Sequence, residues 1–508
     1  MAEVVIYGGE LGGVAAALAA SRRARTDTRV TLVFPEGLPG GQATVGGRCA
    51  WELRQWQHGL TRALPQGGSL ARWLPKTGVV YTPGEFAALL SDELAAAGVH
   101  VLAGHEIEAV LPRSAPGRGR ARSRKLKGPM PEIGSLRVRP LGSDAHGPIL
   151  AGEPLDLTGD VFVDASATGR LTRLCGVPYS IGRADWNADE RQMAASLLFA
   201  VEGVDWEALV AATDGQERPI WGTTVEENPR GGRRTFWGAA ALAATDAVLA
   251  AFATAHPGFR VAGPRGWEEE RGAFWLACLL VYNVDARRRR YDGGTEREVA
   301  PVPLKARDLD AAHAEAVALA TSSDMLGALR RFPGLGGVRL ATVGTTPRVA
   351  STLLVRESIH AMGPGPEPFA IRVEDVTGAG TGPADGRDSR HWARRVGLGF
   401  YWSENSGYSP GEVQRTVAAT ANPTYIPLDA LLAPPVQNLL IAGHAARIES
   451  RAWWAMRAAP NLCVLGDAAG TAAALALHEG MPCSRFGTAE VAALQSWLST
   501  DGALLDKW

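Results

Sequence analysis

Glu3-Val-Val-Ile-Tyr-Gly8-Gly9-Glu10-Leu11-Gly12-Gly13-Val-Ala-Ala-Ala opens the chain, and its reading decides the fold. Val4–Tyr7 reads as a short buried strand, Gly8–Gly13 as a tight turn, and Gly12 to about Arg22 as a helix of small residues. Arg29–Phe34 supplies a second strand, so the whole makes a βαβ unit of about 30 residues. Such a turn presents backbone N–H groups at a helix N-terminus, the arrangement that receives a pyrophosphate. Aligned on G-x-G-x-x-G, the first and third glycines are Gly8 and Gly13, with Glu10 in the middle position. The ribose acid expected at the end of strand two is replaced by Phe34. Either Glu36, two residues later, substitutes for it or the ribose is held more weakly.

More than 400 residues on, Asn438-Leu-Leu-Ile-Ala-Gly443-His444 reads as another buried strand. Leu465-Gly466-Asp467-Ala468-Ala469-Gly470-Thr-Ala-Ala-Ala-Leu reads as a helix opening on small residues. If both ends of the chain face one ligand, that ligand is long, which suggests FAD before NAD. From about Gly176 to Thr424 the texture changes: tryptophans are frequent, and Gly/Pro loops interrupt helices such as Thr235–Ala255 and Asp308–Arg331. The expected fold class is therefore α/β, a discontinuous Rossmann-type domain (1–175 and 430–490) with an inserted α+β substrate or cap domain (176–429). A C-terminal helix or tail (491–508) completes it.

A chain of 508 residues is too long for one core. Its net charge of −1 leaves no electrostatic footprint for nucleic acid. The five cysteines are scattered and lack a C-x-x-C pair, which argues against disulfides or a zinc site and suits a reducing compartment. No charged and apolar leader precedes Val4 and no apolar run approaches the ~20 residues of a membrane span, so the expected location is cytoplasmic. Arg113–Lys127 carries seven basic residues, either a solvated hairpin loop or an anion or partner contact. The four consecutive arginines Arg287–Arg290 read as a solvated strand or loop. Oligomeric state is left open.

Several segments resemble the FAD-dependent oxidoreductases related to the succinate dehydrogenase/fumarate reductase flavoproteins, in particular a large bacterial branch of them. The resemblance is carried by Gly40-Gly41-Gln42-Ala43-Thr44 with Gly46-Gly47, and by Val161-Phe-Val-Asp164-Ala165-Ser166-Ala-Thr-Gly169, which is similar to F-I-D-A-T-G. Phe332-Pro-Gly-Leu, Thr346-Pro-Arg, Arg356-Glu357-Ser358 and the run from Asn438 to Gly480 carry the rest. The chain departs from the family pattern at Glu10, at Phe34, after Asp164-Ala165, and at Glu449-Ser450-Arg451.

The resemblance implies one non-covalent FAD and hydride exchange with an unknown small molecule, an anion among the candidates, bound between the two domains. It implies cofactor contacts at Gly8, Gly9, Gly12, Gly13, Glu36, Gly40, Gly41, Gln42, Thr44, Asp164, Ala165, Gly443, His444, Gly466, Asp467, Ala468, Ala469 and Gly470. A helix N-terminus at Gly466–Gly470 would favour negative charge on the flavin N1/C2 oxygen. Arg356 and Arg457 are the candidate catalytic residues, since arginine suits a carboxylate. Arg451 is a third, with a plain salt bridge as its alternative. No metal site is expected. The rival expectation is a degenerate flavin-fold protein that binds a ligand or partner without redox turnover.

Overall fold

The computed structural model describes residues 2–507 except 58–59, 64–65, 114–130, 187–188, 214–219, 227, 271, 293–305, 378–388, 400–402, 413–415 and 418–422, and except the side chains of 54–65, 403 and 413–422. Five strands make a wholly parallel sheet: β1 (Ala2–Tyr7), β2 (Thr28–Phe34), β3 (His100–Ala103), β4 (Val161–Asp164) and β5 (Leu439–Ile441). Their order is β3-β2-β1-β4-β5, the doubly wound pattern in which ligands bind past the strand C-termini at the switch between β1 and β4. Val4, Val5, Ile6 and Tyr7 are all buried, as an unbroken apolar strand covered on both faces must be.

Helix α1 (Leu11–Arg23) packs on helix α2 (Ala459–Glu479). A Cβ on Gly466 would lie 2.2 Å from the Gly12 carbonyl oxygen, and one on Gly470 would lie 2.1 Å from that of Ala16. The helices therefore cross backbone on backbone, which no side chain permits. This corrects one expectation: α2 opens at Ala459 with Pro460 in its first turn, so Gly466–Gly470 is a mid-helix crossing and not a helix N-terminus. Proline pre-set for the first turn starts the helix one loop earlier than the glycines suggested. At 21 residues and a mean hydropathy of 1.3, α2 is also long and apolar enough to cross a membrane by length and composition, contrary to the expectation of no such run. It is packed inside the protein, with 89% of its apolar window buried.

A second hydrophobic core surrounds a six-stranded antiparallel sheet. Its strands run, in spatial order, Trp221–Glu226, Arg233–Gly238, Phe259–Glu270, Ala273–Val281, Ala195–Glu202 and Arg339–Leu340. The helices Leu309–Ala320 and Ser323–Leu329 pack into this core and replace the single helix expected over 308–331, because Ser322 caps a new start. The helix expected over 235–255 is also corrected. Thr235, Phe236 and Trp237 pair in the sheet, as β-branched and aromatic residues favour, and the alanine-rich remainder forms helices Ala240–Thr245 and Ala247–Ala255. Most of the basic segment 113–127 lies outside the described residues.

Candidate functional site

Past the C-terminal ends of β1 and β4 the chain must turn sharply. Gly8 does so at φ +112°, with its Cβ position 2.6 Å from the Ala165 carbonyl carbon, so only glycine fits. Gly13 would place a Cβ 1.9 Å from the Gly8 carbonyl oxygen. Above the turn lies a cavity of ≈ 550 Å³. Gly8, Gly9, Glu10, Glu36, Gln42 and Ser166 line one side of it, and Arg287, Arg289, Thr352, Leu353 and Val355 line the other.

Glu10, at the middle-glycine position, turns its carboxylate onto the next loop and accepts the Gln42 N–H at 3.0 Å. Burial first, and the Glu36 charge next, push its pKa up to about 8. Burial also raises Glu36. Phe34 is fully buried with its ring 2.7 Å from the Cβ position of Gly9, so the acid facing the cavity after β2 is Glu36.

Thr352–Arg356 forms a thin wall. Thr352, Leu353 and Val355 face the first cavity, while Leu354 and Arg356 face a second, of ≈ 770 Å³. The second cavity brings Arg356 and Arg457 together and adds Arg48, Arg265, Glu52 and Glu404. Arg48 pairs with Glu52, and Arg265 spans Glu52 (3.8 Å) and Glu404 (3.4 Å). Arg457 pairs with Glu404 at 3.3 Å, and its side chain is 8% exposed with Nε unbonded. Arg356 donates to the Ala194 carbonyl at 2.8 Å and has no carboxylate within ion-pair distance among the described residues. Burial first, and Arg457 next, pull its pKa down to about 9.

His444 follows β5, with both ring nitrogens buried and without a partner. Burial, then Arg457 and His360, lower its pKa to about 3, so the ring is neutral. It stands 5.4 Å from the Trp453 ring, whose Nε1 donates to the Arg356 carbonyl at 2.9 Å. The Gly40–Gly47 loop is tied to the wall: Gln42 Nε2 donates to the Val355 carbonyl at 2.8 Å, and Ser351 N to the Val45 carbonyl at 3.0 Å.

The other expected cofactor residues scatter. Gly40 N donates to the Gly9 carbonyl, Gly41 lies against the Glu10 carboxyl, and Thr44 donates within its own loop. Gly443 packs under Ser166. Asp164 lines neither cavity; it accepts from Ser166 and Thr172 and so shapes the turn after β4 that begins at Ala165. Asp467 accepts Ser69 N at 2.7 Å and Ser69 Oγ at 2.6 Å, and with Gly466, Ala468, Ala469 and Gly470 it stands inside α2 away from both cavities. Arg451 pairs with Glu449. Trp392 and Tyr408 line neither cavity, and Phe400, Tyr401 and Trp402 lie outside the described residues.

Sequence reasoning missed Arg48, Glu52, Arg265, Glu404, and the cavity-facing pair within Arg287–Arg290. The run of four arginines was a signal, but only the fold tells which of them turn inward. Among the described residues no group of histidine, cysteine and acidic side chains is placed to hold a metal.

The family model described as FAD dependent oxidoreductase matches residues 3–128 and 144–498. No curated protein matches the sequence. A geranylgeranyl bacteriochlorophyll reductase-like protein of Thermoplasma acidophilum is 10% identical over 99% of this chain and 84% of its own, with a TM-score of 0.40. A myxobacterial chondrochloren halogenase is 13% identical over 72% of this chain, at a TM-score of 0.35, and this chain spans only 65% of its length. The flavin-dependent monooxygenase PieE, solved with FAD and substrate, is 12% identical over 72% of this chain and 50% of its own, at 0.32. These three likenesses are too distant to carry an argument about this chain.

Proposed function

This chain belongs to the family of FAD-dependent oxidoreductases, and on that premise we propose that it exchanges hydride with a small anionic molecule held by Arg356 and Arg457. One observation carries the reading: the two arginines share a cavity separated from the nucleotide turn only by the wall 352–356. The residues present fit the cofactor. The Gly8 turn and the uncapped N-terminus of α1 leave backbone donors for a diphosphate, and Glu36 stands at the ribose end. His444 offers a neutral ring with two unused nitrogens.

FAD, when bound, supplies the hydride acceptor or donor at its N5. The chain does the rest. Arg457, oriented by Glu404, and Arg356, fixed by the Ala194 carbonyl, bind a carboxylate with their remaining donors. Arg356 holds its proton less tightly than an ordinary arginine, so it can also pass one to a substrate carbon or oxygen. Leu354, Leu280 and Ala277 exclude water from the apolar part of the molecule.

Within this reading the chain is kin to the succinate dehydrogenase/fumarate reductase flavoproteins through its Gly40–Gly47 and Asn438–Gly480 segments. The FAD domain comprises 1–175 and 430–490, the substrate domain 176–429 and a C-terminal element 491–508. The protein works in the cytoplasm without a nucleic-acid partner. The buried Glu10 and Phe34 favour one rival, a flavin-fold binding protein without turnover. Anaerobic titration of the yellow protein with a panel of carboxylic acids and their unsaturated or keto counterparts decides between them. Bleaching or re-oxidation by one pair supports the enzyme; a spectrum that no member moves supports the rival.

A further inference from the structure

The nucleotide cavity has an unusual charge lining. Its turn carries an acid, Glu10, where the usual residue is glycine, and Glu36 and Glu106 add two more. The diphosphate of FAD bears two negative charges, so something must offset them. Among the described residues the cations lining this cavity are Arg170, Arg287 and Arg289. Arg170 is committed to Asp292 and Glu106. The other two come from the segment that follows the antiparallel strand ending at Val281, far from the turn in sequence.

Arg287 and Arg289 are held alike. An aspartate grips each guanidinium along its Nε/Nη2 edge. Arg287 donates to Asp285 at 2.8 and 2.9 Å. Arg289 meets Asp310 at 3.1 Å through Nε and 2.8 Å through Nη2. Arg287 is 3% exposed; the Tyr179 hydroxyl is a further hydrogen-bond partner of its side chain, yet its Nη1 is buried without one. Among the described residues no bond runs from Nη1 of Arg289. Asp285 keeps the Arg287 guanidinium charged despite the burial. A buried guanidinium edge left unbonded is costly unless a ligand meets it. The neighbouring Arg290 turns outward instead and pairs with Asp144.

We propose that Arg287 and Arg289, pre-oriented by Asp285 and Asp310, form a clamp on the diphosphate of FAD, supplying from the second core oriented guanidinium donors that the Glu10-bearing turn lacks. Two oriented guanidiniums suit phosphate oxygens better than lysines would. The clamp recognises the diphosphate and makes no demand on the isoalloxazine.

The test uses the full-length FAD-loaded protein. Its dilution releases fluorescent flavin and gives a Kd for FAD; ADP and riboflavin compete for the same site and report its two halves. Arg289→Gln is expected to weaken FAD and ADP by 10-fold or more and to leave riboflavin within 2-fold, whereas Arg290→Gln leaves all three within 2-fold. Raised salt should weaken FAD in the parent more than in Arg289→Gln. Because Arg287→Gln alone strands Asp285, the double variant Asp285→Asn/Arg287→Gln is read instead, with the same expectation. A variant that folds, by circular dichroism and melting, but purifies colourless counts for the clamp. If FAD and ADP weaken less than 2-fold in both variants, or riboflavin weakens as much as FAD, the arginines only brace the fold and the clamp is wrong.

Discussion

The two cavities on either side of residues 352–356 handle charge in opposite ways. On the nucleotide side every arginine is already matched: Arg170 to Asp292, Arg287 to Asp285, Arg289 to Asp310. Burial also draws Glu10 and Glu36 toward their neutral forms. On the other side four arginines face two glutamates, and among the described residues no carboxylate lies within ion-pair distance of Arg356. The first cavity is set before its ligand arrives, and it orients donors rather than storing net charge. The second is short of negative charge, so an anion entering it relieves the repulsion between Arg356 and Arg457. One region is built for a permanent occupant and the other for a visitor that binds and leaves.

The hardest way to break the contrast is to fill the turn. Gly13→Val drives two methyl groups toward the Gly8 carbonyl and should cost about 4 kcal/mol or more, with loss of both flavin and cooperative melting. A yellow, normally melting variant would mean that the turn does not pack as described. Next comes Arg356→Ala, which should leave bound flavin and its spectrum intact. It should slow substrate-dependent reduction by about 30-fold, roughly 2 kcal/mol; Arg356→Lys should recover only part. Loss of flavin in the alanine variant would erase the division of labour between the cavities.

Glu10→Gln is read through pH. Glu10 titrates near 8 in the folded chain and near 4.5 in the unfolded one. The folded state therefore holds the extra proton between those values. Its contribution is complete below about pH 4.5 and fades as pH rises through 8, by up to about 1.4 kcal/mol per pH unit. The glutamine variant should melt higher than the parent at pH 8, and the gap should close toward pH 5. A gap that widens on acidification contradicts the buried neutral acid. The smallest effect belongs to Arg451→Ala, whose solvent-facing guanidinium pairs with the buried Glu449, itself also held by Val373 N; it should change reduction by less than about 0.5 kcal/mol and stability by about 1 kcal/mol or less.

Much of the nucleotide side was legible because its signals are local. A strand, a glycine turn and a small-residue helix each follow from consecutive residues, and the doubly wound order follows from two such units. Arg356 and Arg457 were chosen from short motifs, and the fold brings them into one cavity. The ends of α2 were misread because a glycine that opens a helix and a glycine that lets two helices touch look the same in sequence. Only the distance to the Gly12 carbonyl separates them. Likewise Arg287, Arg289 and Arg290 are equivalent in the sequence, and their different fates depend on Asp285, Asp310 and Asp144, which come from three separate places. Phe34 was read as a lost ribose ligand, but in the structure its ring props Gly9 from below.

The crossing of α1 and α2 also sets a schedule for making the protein. Gly12 and Gly466 are 466 − 12 = 454 residues apart, yet each occupies the only space the other leaves. At ordinary translation speeds the first helix waits roughly 20–90 s for its partner to be synthesised. Throughout that interval its alanine face, and the edge of β4 that β5 will cover, stand open. The nascent chain must therefore either be sheltered or keep its first βαβ unit loose until α2 has been made, and a chain stopped short of Ala459 is expected to accumulate as aggregate rather than as a smaller flavoprotein.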